Sequence, residues 1–329
     1  MFKQPLRLSP HFSQRPWGGT KLQTLLRKQL PLSGGPYGES WELSDHPDGP
    51  SRVLSHHPEL SGKAFGEILR THPRPMIGRD SAPARYPLLV KYIDAAEDLS
   101  IQVHPSDQWC RTQRHDDRGK SECWYVMQAE PRTTIIAGYK PGIGESAVRA
   151  AIARNSLRDT LQEWSLQTGD FIPLPPGTVH AMMAGTLVCE IQQSSNTTFR
   201  LHDWDRKPTR QLHIDESLQV TDWDRDARVA LRQFGSIGSA GESSIFENEF
   251  FSINRCDVVP GGVLSAPLPH HTGAVINVVE GNGELLGEGW TEQLRLGDTL
   301  YLPAALTSPT TLRAGASGLR ILRTISREL

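Results

Sequence analysis

Several things are scarce in this 329-residue chain, and each scarcity narrows what it can be. A surplus of charge is missing: 35 Lys and Arg stand against 37 Asp and Glu, a formal net charge of -2. With no broad field of one sign, neither nucleic acid nor a membrane surface is expected as partner, although a small anion needs only a local basic cluster. Cysteine is sparse: Cys110, Cys123, Cys189 and Cys256 are irregularly spaced and form no C-x-x-C pair. In a chain this long that is not a disulfide framework, and a reduced, cytoplasmic setting is expected. Long apolar runs are absent. Ala274 to Val279, interrupted by Asn277, is far too short to cross a bilayer. The opening Met1-Phe2-Lys3-Gln4-Pro5 lacks the apolar core of a signal peptide.

What is abundant is punctuation. The 29 glycines and 24 prolines break the chain into short runs. Tyr86 to Ile93, Leu99 to Val103, Cys123 to Met127, Thr133 to Ala137, Asp170 to Leu174 and Thr186 to Ile191 are rich in β-branched and aromatic residues and are bounded by turn signals. That pattern predicts a mainly β protein, a sandwich or barrel. Helix is expected only in short pieces: one over Leu60 to Thr71, and two between Gly144 and Trp164. The second of these carries Leu157, Leu161 and Trp164 as a stripe, with Ser156 and Asp159 at its start.

The length suggests two domains. Small residues concentrate in Gly235 to Ser244, which places a boundary near residue 240. Gly169-Asp170-Phe-Ile-Pro-Leu-Pro175 is echoed by Gly297-Asp298-Thr-Leu-Tyr-Leu-Pro303. Each is a turn, an apolar strand and a proline, which suggests two similar β-domains in tandem.

Four polar positions suit a metal. Gln102 and His104 are two apart on a β-rich run and so face one side. Glu122 opens a later strand, and His180 follows a rigid turn made by Pro175, Pro176 and Gly177. Imidazole and carboxylate are ordinary ligands for zinc or iron. From spacing alone, packed histidines, a solvated strand-end glutamate and a cross-strand glutamine remain open alternatives.

Gly169, Pro175, Gly177 and His180 match the second conserved cupin motif. Gln102-Val-His104-Pro105 and Gly119-Lys120-Ser121-Glu122 resemble the Q-x-H-P and K-x-E signatures of the type I mannose-6-phosphate isomerases. Pro16-Trp17-Gly18-Gly19 and Gly38-Glu39-Ser40-Trp41-Glu42 look like that family's N-terminal motifs. Gly119 to Tyr125 and Glu190 to Arg200 look like its short bacterial form.

The resemblance implies two cupin-type β-barrel (jelly-roll) domains. The catalytic one would be residues 1–240, with short helices, and the other, residues 241–329, a cupin-like domain without metal ligands. It implies one zinc ion per chain, held by Gln102, His104, Glu122 and His180, and an interconversion of mannose 6-phosphate and fructose 6-phosphate through an enediol or enediolate. Lys120 and Arg200 would bind substrate and assist catalysis, with Ser100 and Lys91 as further pocket candidates. Glu190, a carboxylate between Cys189 and Ile191, is the candidate for proton transfer.

Two departures matter. The longer family members place a histidine where this chain has Gly119. If that histidine opens the sugar ring, another group must do so here. In the second domain, Ala305 and Ser308 fall where Gly177 and His180 stand in the first, and adjacent His270 and His271 would face opposite sides of a strand. That domain is expected to pack and shield. The expected partner is a small sugar phosphate, on a monomer or weak homodimer. Two histidines with one glutamate also make the facial triad of iron oxygenases, which Gln102 as a fourth ligand argues against. A cupin isomerase acting on glucose 6-phosphate, or a non-catalytic sugar-phosphate- or metal-binding regulator, would carry much the same pattern.

Overall fold

The computed structural model of the chain describes residues 2–32, 34–55, 57–224, 231–266 and 272–329. His270 and His271 lie outside the described residues. These residues form three antiparallel sheets. A seven-stranded sheet runs in the order Arg232–Gln233, Asp170–Leu174, Glu122–Ala129, Thr186–Gln193, Leu88–Ala95, His11–Gly19 and Tyr37–Leu43. A five-stranded sheet runs Phe199–His202, Ile101–Val103, His180–Met182, Thr134–Tyr139 and Leu161–Ser165. A nine-stranded sheet contains every described strand from Gly241 onward, and also Leu6–Ser9 and Arg52–Leu54 from the start of the chain.

The central strands of the seven-stranded sheet read as continuous apolar runs because both of their faces are buried. Alternation divides the residues between two cores. Ile93, Trp124, Val126 and Val188 meet Ile135, Ala137 and Met182 of the five-stranded sheet. Val90, Tyr92, Tyr125 and Cys189 point the other way, into a core shared with Phe251, Val275 and Tyr301 of the nine-stranded sheet. Truncating a side chain such as Trp124 to alanine in this interior costs about 3–5 kcal/mol.

Specific contacts tie the nine-stranded sheet to the rest of the described residues. Phe65, Tyr86 and Tyr301 pack edge to face, with ring centroids 4.9 to 5.9 Å apart. The Tyr301 hydroxyl donates to the Met76 carbonyl at 3.0 Å. Buried Arg320 reaches Asp257 at 2.7 Å and the Tyr125 hydroxyl at 3.2 Å. The echoed Gly-Asp segments adopt the same local form. Gly169 and Gly297 both have positive φ, 92° and 85°, before the strands Asp170–Leu174 and Thr299–Leu302. A left-handed turn at each of these positions favours glycine.

Helices depart from expectation. Only Phe65–Thr71 of the first stretch is helical. The second gives one helix, Glu145–Ala153, then a 3-10 turn, Leu157–Thr160, and a strand, Leu161–Ser165. Asn155 ends the helix at φ 53°. The few residues after it gain more from pairing with Thr134–Tyr139 than from nucleating a second helix. The Ser156 side chain does not cap the 3-10 turn; its hydroxyl donates back to the Ala151 carbonyl at 3.4 Å. Short helices at Pro73–Ile77, Asp107–Gln113 and Ile214–Val220 lack a periodic apolar face long enough to announce them. No helix among the described residues is long and apolar enough to cross a membrane.

Candidate metal centre and substrate cavity

Along the three central strands the apolar filling stops at one end. The inward positions after Ile93, Trp124 and Val188 are Lys91, Glu122 and Glu190. Pairing then brings the neighbours together: Glu190 lies opposite Lys91, and in the facing sheet His180 and Arg200 both lie opposite Gln102.

The buried side chains of His104, Glu122 and His180 place ligand atoms within 4.8 Å of one another. His180 Nε2 is 3.1 Å from Glu122 Oε1, and His104 Nε2 is 3.7 Å from Oε2. Backbone carbonyls fix both imidazoles: His104 Nδ1 lies 2.8 Å from the Thr197 oxygen and His180 Nδ1 2.9 Å from the Thr178 oxygen. With each Nδ1–H donating outward, both Nε2 lone pairs are left facing the cluster, the tautomer a metal ligand needs. Burial, then the Lys120 charge, push the His104 pKa well below its usual value, so the ring is neutral. Both Glu122 oxygens are shut off from solvent; Oε2 meets the Lys120 ammonium at 2.6 Å, but Oε1, which faces His180, accepts no well-directed hydrogen bond. A buried carboxylate left in that state is costly unless something cationic engages it. These donors fit a divalent ion. Gln102 Nε2 is 3.3 Å from His180 Nε2, while Oε1 accepts from Ser100 at 3.3 Å. Turning the amide over presents the oxygen to the cluster instead.

Cations surround this centre. Lys120 Nζ lies 2.6 Å from Glu122 Oε2 and 3.6 Å from Glu190 Oε1. Burial alone would lower its pKa, but the two carboxylates outweigh burial and raise it. Burial would raise Glu122, yet the Lys120 charge beside it holds it well below the carboxylate range. Lys91 Nζ is 3.4 Å from Glu190 Oε1, and burial lowers its pKa despite Glu39 and Glu190. Trp124 Nε1 donates to Glu190 Oε2 at 2.8 Å.

A cavity of about 440 Å³ opens over this group, lined by Lys91, Ser100, Gln102, Lys120, Glu190 and Arg200. Arg200 donates one Nη to the Gln211 carbonyl at 2.9 Å, and its Nε is buried without a partner. Burial, then Arg210, lower its pKa. The cavity also takes in Arg15, Trp17, Glu39, Arg210 and His213, to which the sequence assigned no role. Glu39 binds Arg15 at 2.8 and 3.2 Å and accepts from Trp41 Nε1 at 2.7 Å. Burial would raise Glu39, but Lys91 and Arg15 bring it down to about 2. The motif around Glu39 was visible in the sequence. Arg210 and His213 lie in a polar loop with no spacing to mark them.

Gly119 is a steric requirement. A Cβ there would stand 2.3 Å from the Asp107 nitrogen, so no histidine fits at this place. Beside the nine-stranded sheet, the Ser308 hydroxyl donates to exposed Glu288. Among the described residues no second His/Cys/Asp/Glu cluster of this kind occurs.

A family model for the phosphomannose isomerase type I catalytic domain matches residues 5–133. The probable mannose-6-phosphate isomerase GmuF of Bacillus subtilis strain 168 is 32% identical over 304 residues, covering 91% of this chain and 93% of its own length. The crystal structure of the mannose 6-phosphate isomerase from Bacillus subtilis superposes with a TM-score of 0.82 at 29% identity, over 98% of this chain and 99% of that one. A mannose 6-phosphate isomerase bound with zinc and yttrium shares the fold at 16% identity, with a TM-score of 0.73 over 98% and 99% of the two chains. On the strength of these likenesses, this chain belongs to the type I mannose-6-phosphate isomerases.

Proposed function

We propose that this isomerase interconverts mannose 6-phosphate and fructose 6-phosphate, with one zinc ion held by His104, Glu122, His180 and the Gln102 amide oxygen. The observation that carries this reading is the buried convergence of three donor atoms beneath a cavity walled by lysine and arginine. Zinc suits mixed imidazole and carboxylate donors, and the relative bound with zinc and yttrium has the same fold.

Bound zinc would supply a Lewis acid for the sugar oxygens near the reacting carbons. The chain's own residues supply the rest. Glu190 takes the proton from C2 and returns it at C1, while the hydroxyl proton passes from O2 to O1 across the enediolate, so that C1 ends as an alcohol and C2 as the carbonyl. Lys91 and Lys120 flank Glu190 and place positive charge where the oxyanion develops. Arg200 offers a planar fork, its Nε buried without a partner, to the phosphate or the enediolate. With the Gln102 amide turned over, the Ser100 hydroxyl, now 3.3 Å from Oε1, would instead accept from Nε2 and hold the amide oxygen toward the ion. Because Gly119 admits no side chain, ring opening falls to another group of the site.

We further propose a division near residue 240 into a catalytic cupin domain and a cupin-like domain without a metal. Leu6–Ser9 and Arg52–Leu54 are then loans from the first unit to the second one's sheet. The reading is tested by a coupled isomerase assay on the zinc-loaded protein and on Glu190→Gln and His104→Ala. Turnover of mannose 6-phosphate by the parent and its loss in both variants are expected. Turnover of glucose 6-phosphate in its place would transfer the reading to the other sugar, and binding without turnover would make the protein a regulator.

A further inference from the structure

Residues 118–121, which lead into Glu122, belong to no sheet ladder, so other contacts must fix them. Some come from nearby. The Gly119 N–H donates to Asp107 at 2.7 Å, and the Lys120 N–H to the Pro105 carbonyl at 3.0 Å. The Ser121 N–H donates to the Gln193 side chain at 2.9 Å, and Gln193 in turn donates to Asp107 at 3.1 Å.

Two more come from the nine-stranded sheet. Asn248, in the turn between Gly241–Glu247 and Phe251–Val258, donates from Nδ2 to the Ser121 hydroxyl at 3.1 Å. Its own Oδ1 is pinned by the N–H groups of Phe250 and Phe251, both at 2.9 Å. Glu328, just past Thr310–Ser326, pairs with Arg118, whose same nitrogen also reaches Asp107 at 3.1 Å. Its backbone N–H is tied to the Ser326 hydroxyl at 3.2 Å. The segment bearing Lys120 and Glu122 is therefore gripped from both halves of the molecule.

We propose that Asn248 and Glu328 are positioning residues that fix the Arg118–Glu122 segment from the nine-stranded sheet and thereby set the affinity of the His104–Glu122–His180 site for its divalent ion. This rests on the metal reading given above. It gives the residues after 240 a part in the chemistry beyond packing and shielding. Residues outside the ligand set that orient a ligand typically change metal affinity by about 10- to 100-fold when removed.

The test is a zinc titration of metal-free protein against a chromophoric chelator, with kcat and KM measured alongside. Asn248 also closes its own turn, so Ser121→Ala, which deletes only the hydroxyl at the other end of the bond, is the cleaner variant. Glu328→Gln removes the other grip. The double variant is expected to bind zinc about tenfold more weakly and to lose kcat more than it gains KM, with each single variant showing part of the effect. Arg313→Gln, which breaks an exposed pair with Glu284 in the same sheet, is expected to leave zinc affinity unchanged. Parental zinc affinity and kcat in the double variant would overturn the proposal, and so would an equal loss in Arg313→Gln. Weakened zinc binding in the variants of a protein that does not isomerise mannose 6-phosphate would uphold the brace and defeat the functional reading. A parent protein that takes up no zinc would overturn both.

Discussion

Lys120 places its ammonium 2.6 Å from Glu122 Oε2, and both side chains are almost wholly buried. The pair holds negative and positive charge together at the floor of the cavity, where neither could remain charged alone.

Replacing Lys120 by Met therefore leaves Glu122 and Glu190 as neighbouring buried carboxylates without their shared cation. In the metal-free protein the cost is expected to be about 3–5 kcal/mol, read from urea denaturation. With zinc present the loss is expected to shrink, because the ion supplies the missing positive charge. An equal loss with and without zinc would detach Glu122 from the metal.

Glu39 makes stability depend on acid. Its folded-state pKa, about 2, lies below the ordinary 4.5, so the folded protein holds this group charged more firmly than the unfolded chain does. The resulting stabilisation is fully present above about pH 4.5 and is lost as the pH falls toward about 2. Glu39→Gln is expected to be less stable than the parent at pH 7 by up to roughly 3 kcal/mol, with the gap closing between pH 4.5 and 2. Denaturation curves of both proteins across that range check it. A gap independent of pH would mean that packing, rather than charge, accounts for the difference.

Arg200 is expected to act through its fork. Arg200→Lys keeps a positive charge but not the paired donors, and kcat/KM for mannose 6-phosphate should fall about 10- to 100-fold, equivalent to about 1.4–2.7 kcal/mol. Arg200→Ala should fall further, while the circular dichroism melt stays close to the parent's. Parental kinetics in Arg200→Lys would show that only diffuse charge is needed.

Tyr92 tests the joint between the halves. Its hydroxyl lies 3.2 Å from Thr299 Oγ1 and 3.4 Å from Asn277 Nδ2, deep inside the molecule. Tyr92→Phe is expected to cost about 1 kcal/mol of stability, since Asn277 and Thr299 keep their own bond at 2.8 Å. Because Tyr92 faces away from the cavity, kcat and KM should not change. A kinetic defect would show that the joint transmits strain to the site.

Alternation puts Gln102 and His104 on one side of a strand, but spacing alone left packed histidines and a cross-strand glutamine open, and it was the resemblance to the type I isomerases that joined them to Glu122 and His180; the structure brings His104, Glu122 and His180 together. The central strands announced themselves through unbroken apolar runs. The stretch after Asn155 did not, since Leu157, Leu161 and Trp164 carry helical spacing while long-range pairing with Thr134–Tyr139 decides the structure. Nor could local pattern foresee that Leu6–Ser9 pairs with Thr299–Leu302 almost the whole chain away. Arg15 and Glu39 escaped notice as cavity residues for the same reason: only the folded pairing of Tyr37–Leu43 with Leu88–Ala95 brings Glu39 beside Lys91.

The most direct measurement is to strip the protein of metal with a chelator, add zinc back in fractions of an equivalent, and follow mannose 6-phosphate turnover. Activity should be absent at first, rise linearly and break at one zinc per chain, with no recovery in His104→Ala. Undiminished turnover in the stripped protein, or none at any zinc level, would contradict an isomerase built on His104, Glu122 and His180.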